Sequence, residues 1–161
     1  MWPPGNENRS SEFILQGVES VAKPLDVVVQ TVEVRGQNDF DAPFSSMKRS
    51  HADAAILGVN TPFLAHRRRL AELAMSQRLP MMTPSREYAE AGALLSYGTD
   101  YPAQFGRVAV YVDKILKGAR PGDLPIEQPT KFALVINLKT AKAIGLTIPQ
   151  SVLGRADEVI Q

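Results

Sequence analysis

LPMMTPSREYAEAGALLSYGTDYPAQFGRVAVYVDKILKG, residues 79–118, is the stretch that decides the fold. It opens on a short apolar run, 79–83, closed by Pro84. Residues 85–92 read as one or two helical turns. A second apolar run, 93–97, ends at Gly98. Asp100 then stands where a helix N-cap belongs, ahead of a helix over 101–117. Phe105, Val108, Val112 and Ile115 share one face of that helix, and Gly118 supplies its stop.

The same alternation extends in both directions. Upstream, residues 8–25 read as an amphipathic helix carrying Ile14, Val18, Val21 and Leu25 on one face, with Pro24 near its end. Residues 26–34, rich in Val, read as a strand. Phe40, Phe44 and Met47 mark a short second helix, capped by Asn38 or Asp39. Residues 52–59 are almost continuously apolar, as a strand buried on both faces is. Thr61 can cap a helix running to about Arg78, with Pro62 in its first turn. Downstream, four prolines and glycines make 119–130 an extended connector, 132–136 a strand, and Asn137 the cap of a helix ending at Gly145. Thr147 and Gln150 have capping-box spacing, which predicts a last helix carrying Val152, Ala156 and Ile160. Strands alternating with helices predict an α/β fold: a mainly parallel sheet with helices on both faces, in a Rossmann-like layering.

Composition narrows the function. The chain has 161 residues, 44% hydrophobic and 22% charged, which is ordinary for a folded domain and argues against disorder. Eighteen Lys and Arg against seventeen Asp and Glu give a net charge of +1, too little for a general polyanion binder, so no nucleic-acid partner is expected. With no Cys and only His51 and His66, neither a thiol nucleophile nor a multi-histidine metal site is expected, and no metal or cofactor is assigned. The first residues lack the charged and apolar regions of a secretory signal, and the apolar runs are too short to span a bilayer, so the sequence alone predicts a soluble chain.

In such sheets ligands bind beyond the strand ends, beside helix N-termini. Four junctions qualify: 4–6, 60–61, 83–86 and 96–100. The residues that stand out are Asn60, Thr61, Ser85, Arg86, Tyr97 and Thr99. From position alone they read first as caps and turns and second as ligand contacts, and Tyr97 either stacks on a ligand or closes the rim of the core. Dinucleotide, Walker and nucleophile-elbow motifs are absent. The basic run 66–69 reads as a solvated helix face, with Arg68 and Glu72 spaced for an ion pair. Glu87 and Glu90 flank Tyr88 and can do acid–base work or simply face water. No catalytic residue is assigned.

The segments LSYGTD (95–100), AVYVDKILKGA (109–119), LPIEQPTKF (124–132), VINLKTAK (135–142), GLTIP (145–149) and RADEVI (155–160), with AHRRRLAELA (65–74), resemble the ABC-transporter substrate-binding protein family that includes tryptophan- and tyrosine-binding members. The resemblance implies two α/β lobes joined by crossover strands, with a solute held between them. It reaches only the later part of such a protein. It therefore implies a second-lobe domain with a truncated start over 1–98, a crossover helix and connector over 99–130, and a C-terminal strand and helices over 131–161 that return to the lobe. It further implies a non-enzymatic, periplasmic or exported component of an importer. That component would bind a small organic solute such as an aromatic or other amino acid, and serve a membrane permease. Helix N-termini would hold an anionic group, and Tyr97 with the small polar junction residues the rest. With the first lobe missing, the apolar face of 101–117 would be exposed, and a homodimer through it is expected. The alternatives are a ligand-sensing regulatory domain and a flavodoxin-like enzyme using Arg86 with a carboxylate such as Glu87.

Overall fold

Five short strands make one sheet in the order β1-β2-β3-β4-β5 in the computed structural model, which describes residues 8–34, 39–58 and 61–161. They are β1 Ala55–Ile56, β2 Met81–Thr83, β3 Leu95–Thr99, β4 Phe132–Asn137 and β5 Glu158–Ile160. The helices are α1 Asn8–Ala22, α2 Asp41–Arg49, α3 Thr61–Ala65, α4 Arg67–Ser76, α5 Arg86–Glu90, α6 Tyr101–Leu116, α7 Leu138–Ile144 and α8 Gln150–Leu153. β1, β2 and β3 run parallel; β4 is antiparallel to β3, from Leu95↔Ile136 to Thr99↔Phe132; β5 is parallel to β4. Three of the four pairings are parallel, as the alternating pattern of the sequence predicts. The single reversal brings the carboxyl ends of β2 and β3 and the amino ends of β4 and β5 to one edge of the sheet.

The main core lies under β1 and β2. Phe40, Phe44 and Met47 from the α2 region meet Phe63 of α3, Leu70 and Leu73 of α4, Met81 of β2 and Tyr88 of α5. Phe40 sets its ring edge-on to Phe63, with centroids 6.0 Å apart. The apolar positions of α2 and α4 recur at helical spacing, so each buries one stripe and leaves its charges in water. A smaller cluster joins Leu94 to Ala141 and Ile144 of α7.

Several boundaries differ from the sequence reading. Residues 27–34 form no strand of the five-stranded sheet, and within them Glu33 forms a lone bridge. Val27 and Val28 are exposed. Strand preference is largely a preference for packing against neighbours, which these valines lack. The helix expected over 61–78 is two, broken at His66, with Arg67 donating across the break to the Leu64 carbonyl at 3.1 Å. β1 is two residues long and Ile56 is half exposed, so it is not the fully buried strand expected.

The cap of α2 is Phe40, with no side-chain cap bond. The expected last helix is also corrected. α8 is a single turn ended at Gly154. Asp157 then docks on β4: its N–H donates to the Leu134 carbonyl at 2.9 Å and its carboxylate accepts the Leu134 N–H at 2.8 Å. Those two bonds align 158–160 as a strand, so Val152, Ala156 and Ile160 never share a helix face.

Between β3 and β4 the chain leaves the sheet as α6 and the connector. Tyr111 donates to the Pro125 carbonyl at 2.6 Å and Arg107 pairs with Glu127, binding the connector along one side of α6. The other side is open: Phe105, Val108, Val112 and Ile115 are exposed, as expected. The excursion begins and ends at one point, where the Asp100 N–H donates to the Lys131 carbonyl at 3.2 Å.

Candidate functional site

Three of the four predicted junctions lie within reach of the described residues, and two converge. A cleft of about 260 Å³ at the sheet edge is lined by Ser85 and Arg86 after β2, by Ser96, Gly98 and Thr99 of β3, and by Lys131, Asp157 and Glu158 opening β4 and β5. Ser85, Arg86 and Thr99 of the six expected residues line it. Thr61 is the first residue of α3, and Asn60 lies outside the described residues, as does the junction at 4–6.

Tyr97 is not among the lining residues. Side chains alternate along a strand, so Ser96 and Gly98 face the cleft and Tyr97 faces away. There it stays half exposed and stacks on Phe132, with ring centroids 5.9 Å apart and planes 24° apart. Tyr97 is in register with Leu134, so this is the diagonal contact of an antiparallel pair.

Two close fits hold the walls together. Gly98 passes so near Pro84 that a Cβ on it would lie 1.8 Å from the Pro84 carbonyl oxygen. Only glycine allows the loop after β2 to lie against β3 there. Behind the cleft, buried Asn137 caps α7 by accepting the Thr140 N–H at 3.0 Å and donates its amide to the Ala89 carbonyl at 2.9 Å. Thr140 donates to the Gly92 carbonyl at 3.0 Å. These bonds lock α5, which carries Arg86, against β4 and α7.

The charges of the cleft are largely spoken for. Arg86 donates to Glu90 at 2.6 Å and pairs with both oxygens of Glu158 at 2.8 and 3.0 Å. The Glu90 hydrogen bond, then the Glu158 charge, raise its pKa. Lys131 pairs with Asp100 at 2.8 Å. That bond, and the Ala103 N–H donating to Asp100 at 3.0 Å, hold the Asp100 carboxyl below its ordinary value, while Asp100 raises Lys131. The N-terminus of α6 is thus closed by its own Asp100 cap, with Pro102 offering no N–H. Arg86 is committed to Glu90 and Glu158 and not to Glu87.

The hydroxyls are different. Ser96 is 1% exposed and lines the cleft, and its hydroxyl, which makes no hydrogen bond among the described residues, opens onto that cleft. Ser85 is the N-cap of α5 without a side-chain cap bond. A small polar solute would find a hydroxyl floor between fixed charges. Ser96 was legible in principle, because alternation puts it opposite Tyr97. Lys131, Asp157 and Glu158 were not, because only the β3–β4 reversal brings them there.

A second, more open hollow of about 290 Å³ lies at the opposite sheet edge, lined by Lys48, His51, Asp53 and Gln77 among others. Gln77 Oε1 is buried there without a partner. Ser85, Arg86, Tyr97 and Thr99 do not line it. Among the described residues no cluster of His, Cys, Asp or Glu is suited to a metal, and no helix is long and apolar enough to cross a membrane.

The sequence model for ABC transporter substrate binding proteins matches residues 3–160. The chain belongs to that family. Solved structures place the fold of this substrate-binding family member in the same group. A conserved domain protein from Vibrio cholerae superposes with a TM-score of 0.83 at 22% identity, covering 98% of this chain and 53% of the other. An ABC domain in complex with L-Trp from Streptococcus pneumonia gives 0.82 at 24%, covering 99% and 55%. A ligand-free, open substrate-binding protein with adhesive properties from Clostridium difficile gives 0.71 at 16%, covering 99% and 53%. The chain spans about half the length of each. No curated protein matches it.

Proposed function

We propose that this chain is a non-enzymatic solute-binding lobe of an ABC importer's binding protein. It holds a small organic solute, such as an aromatic or other amino acid, in the cleft at the ends of β2 and β3. The observation that carries the reading is the unpaired hydroxyl of Ser96, which opens onto a cleft also lined by the fixed Arg86–Glu158 and Lys131–Asp100 pairs. Family membership, and a neighbour crystallised with L-Trp, support the solute class. The importer's membrane permease is the expected partner, and the periplasm or cell exterior the expected place. Residues 1–98 act as the lobe, 99–130 as a crossover, and 131–161 as the return.

Small-molecule sites enclose most of their ligand. A cleft walled by one lobe leaves much of the solute in water, so affinity is expected in the micromolar to millimolar range. Calorimetry and thermal shift against the amino acids test this. At least one should bind and raise the melting temperature. A flat response across the panel at millimolar concentration overturns solute binding, and nanomolar affinity by a monomer overturns the open cleft.

We also propose that the bare face of α6 pairs with a second copy. Sizing with light scattering at micromolar concentration should find a dimer; a monodisperse monomer defeats the idea.

A further inference from the structure

We infer that this cleft selects its solute through a protonated amine, and that Glu87 and Asp157 receive it. The inference rests on the solute-binding reading and concerns which end of the solute this chain grips. Six charged side chains line the cleft: Arg86 and Lys131 against Glu87, Asp100, Asp157 and Glu158. Both cations are engaged, Arg86 by Glu90 and Glu158, and Lys131 by Asp100. The acids are not all matched. Glu87 is exposed and has no ion-pair or hydrogen-bond partner among the described residues. Asp157 is fixed by the Leu134 N–H, which donates to Oδ2, while no described group donates to its other oxygen. Lys131 is near enough to feel the charge of Asp157 but is held by Asp100.

An entering carboxylate therefore meets an acidic surface whose cations are already paired, and an N-terminus of α6 already capped. An ammonium meets the reverse. Its three N–H donors can exchange water for carboxylate and hydroxyl oxygens in charge-assisted hydrogen bonds. The hydroxyl of Ser96, a residue 1% exposed, has no partner among the described residues and opens onto the cleft; it is an independent mark that a polar group belongs there, and it supplies a neutral acceptor in the cleft that the two acids line.

The test is calorimetry on the full chain at pH 7 with three probes of one shape: L-phenylalanine, 2-phenylethylamine and 3-phenylpropionate. The two amines should bind at least tenfold more tightly than the acid that lacks one. Glu87→Gln, a surface substitution, should weaken both amines severalfold and leave 3-phenylpropionate unchanged. Ser96→Ala, checked for an unaltered melt, should weaken the amines as well. Binding of 3-phenylpropionate equal to or tighter than that of 2-phenylethylamine, or amine affinity indifferent to Glu87→Gln, overturns the amine assignment and leaves solute binding standing. Failure of all three probes, together with a wider amino-acid panel, removes solute binding and the amine assignment together.

Discussion

At the scale of single residues, the positions that matter most are those where a side chain has no room or no water. Gly98 is the first kind. A Cβ 1.8 Å from a backbone oxygen cannot be relieved by rotating a side chain. Gly98→Ala should therefore cost at least the upper part of the ~1–3 kcal/mol typical of overpacking, read as a lower denaturation midpoint, and should abolish any solute response by displacing the loop at Pro84. Tyr88 is the second kind. Its burial, aided by the charge of Glu87 and opposed by that of Arg67, pushes the phenol from 10 up to about 12. The folded state thus favours the neutral phenol. That contribution is complete below pH 10 and fades as pH climbs through 12, by an amount of order 2 kcal/mol. Chemical denaturation between pH 9 and 12 should show wild type losing stability faster than Tyr88→Phe; parallel curves would count against it. Residue-level features that depend on near neighbours were readable in the sequence. Asp100 and Asn137 cap α6 and α7, and Gly145 ends α7 with φ +80, all as expected. Which partners Arg86 chooses was not readable, because Glu158 lies far along the chain.

At the scale of elements, α6 is the most unusual. Tyr101, Phe105, Val108, Val112 and Ile115 recur at intervals of four and three, the spacing of a coiled-coil seam, and all are exposed, Phe105 at 71%. The flanking positions Gln104, Ala109, Tyr111 and Leu116 carry no charge, so two copies of the helix can approach without repulsion. Replacing Phe105 and Val112 together with Gln should leave monomer stability within about 0.5 kcal/mol per site, since neither is buried, while shifting the light-scattering mass toward one chain. An unchanged mass would place any association elsewhere. Helices with a clear stripe were legible throughout, and α1, α2 and α6 fall where periodicity puts them. The strands were less so. Valines at 27–29 satisfied the local pattern without a partner strand, whereas β5 was hidden in a sequence that looks helical until Asp157 bonds to Leu134. Pairing is a long-range property, and a local pattern reports only the readiness for it.

At the scale of the whole molecule, the α/β class was legible because alternation is a property of the entire chain, but the reversal between β3 and β4 was not. That reversal is what gathers the cleft from residues far apart, and it explains why Ser85, Arg86 and Thr99, which the junctions point to, share the cleft with a β4–β5 wall that they do not point to. It has another consequence. β3 and β4 are adjacent antiparallel strands, and the chain between them departs and returns at one pair of residues, Asp100 and Lys131, joined by a backbone hydrogen bond and an ion pair. Two such strands need no more than a two-residue turn to join them. Exchanging residues 101–130 for Asn-Gly should leave a chain that still melts cooperatively by circular dichroism, with about 2 kcal/mol less loop-closure entropy to overcome. Non-cooperative melting would show that the excursion is needed for the sheet. In evolutionary terms, 101–130 is a cassette seated in a socket two strands wide: it can be lengthened, traded or lost without renegotiating the register of the sheet that carries it.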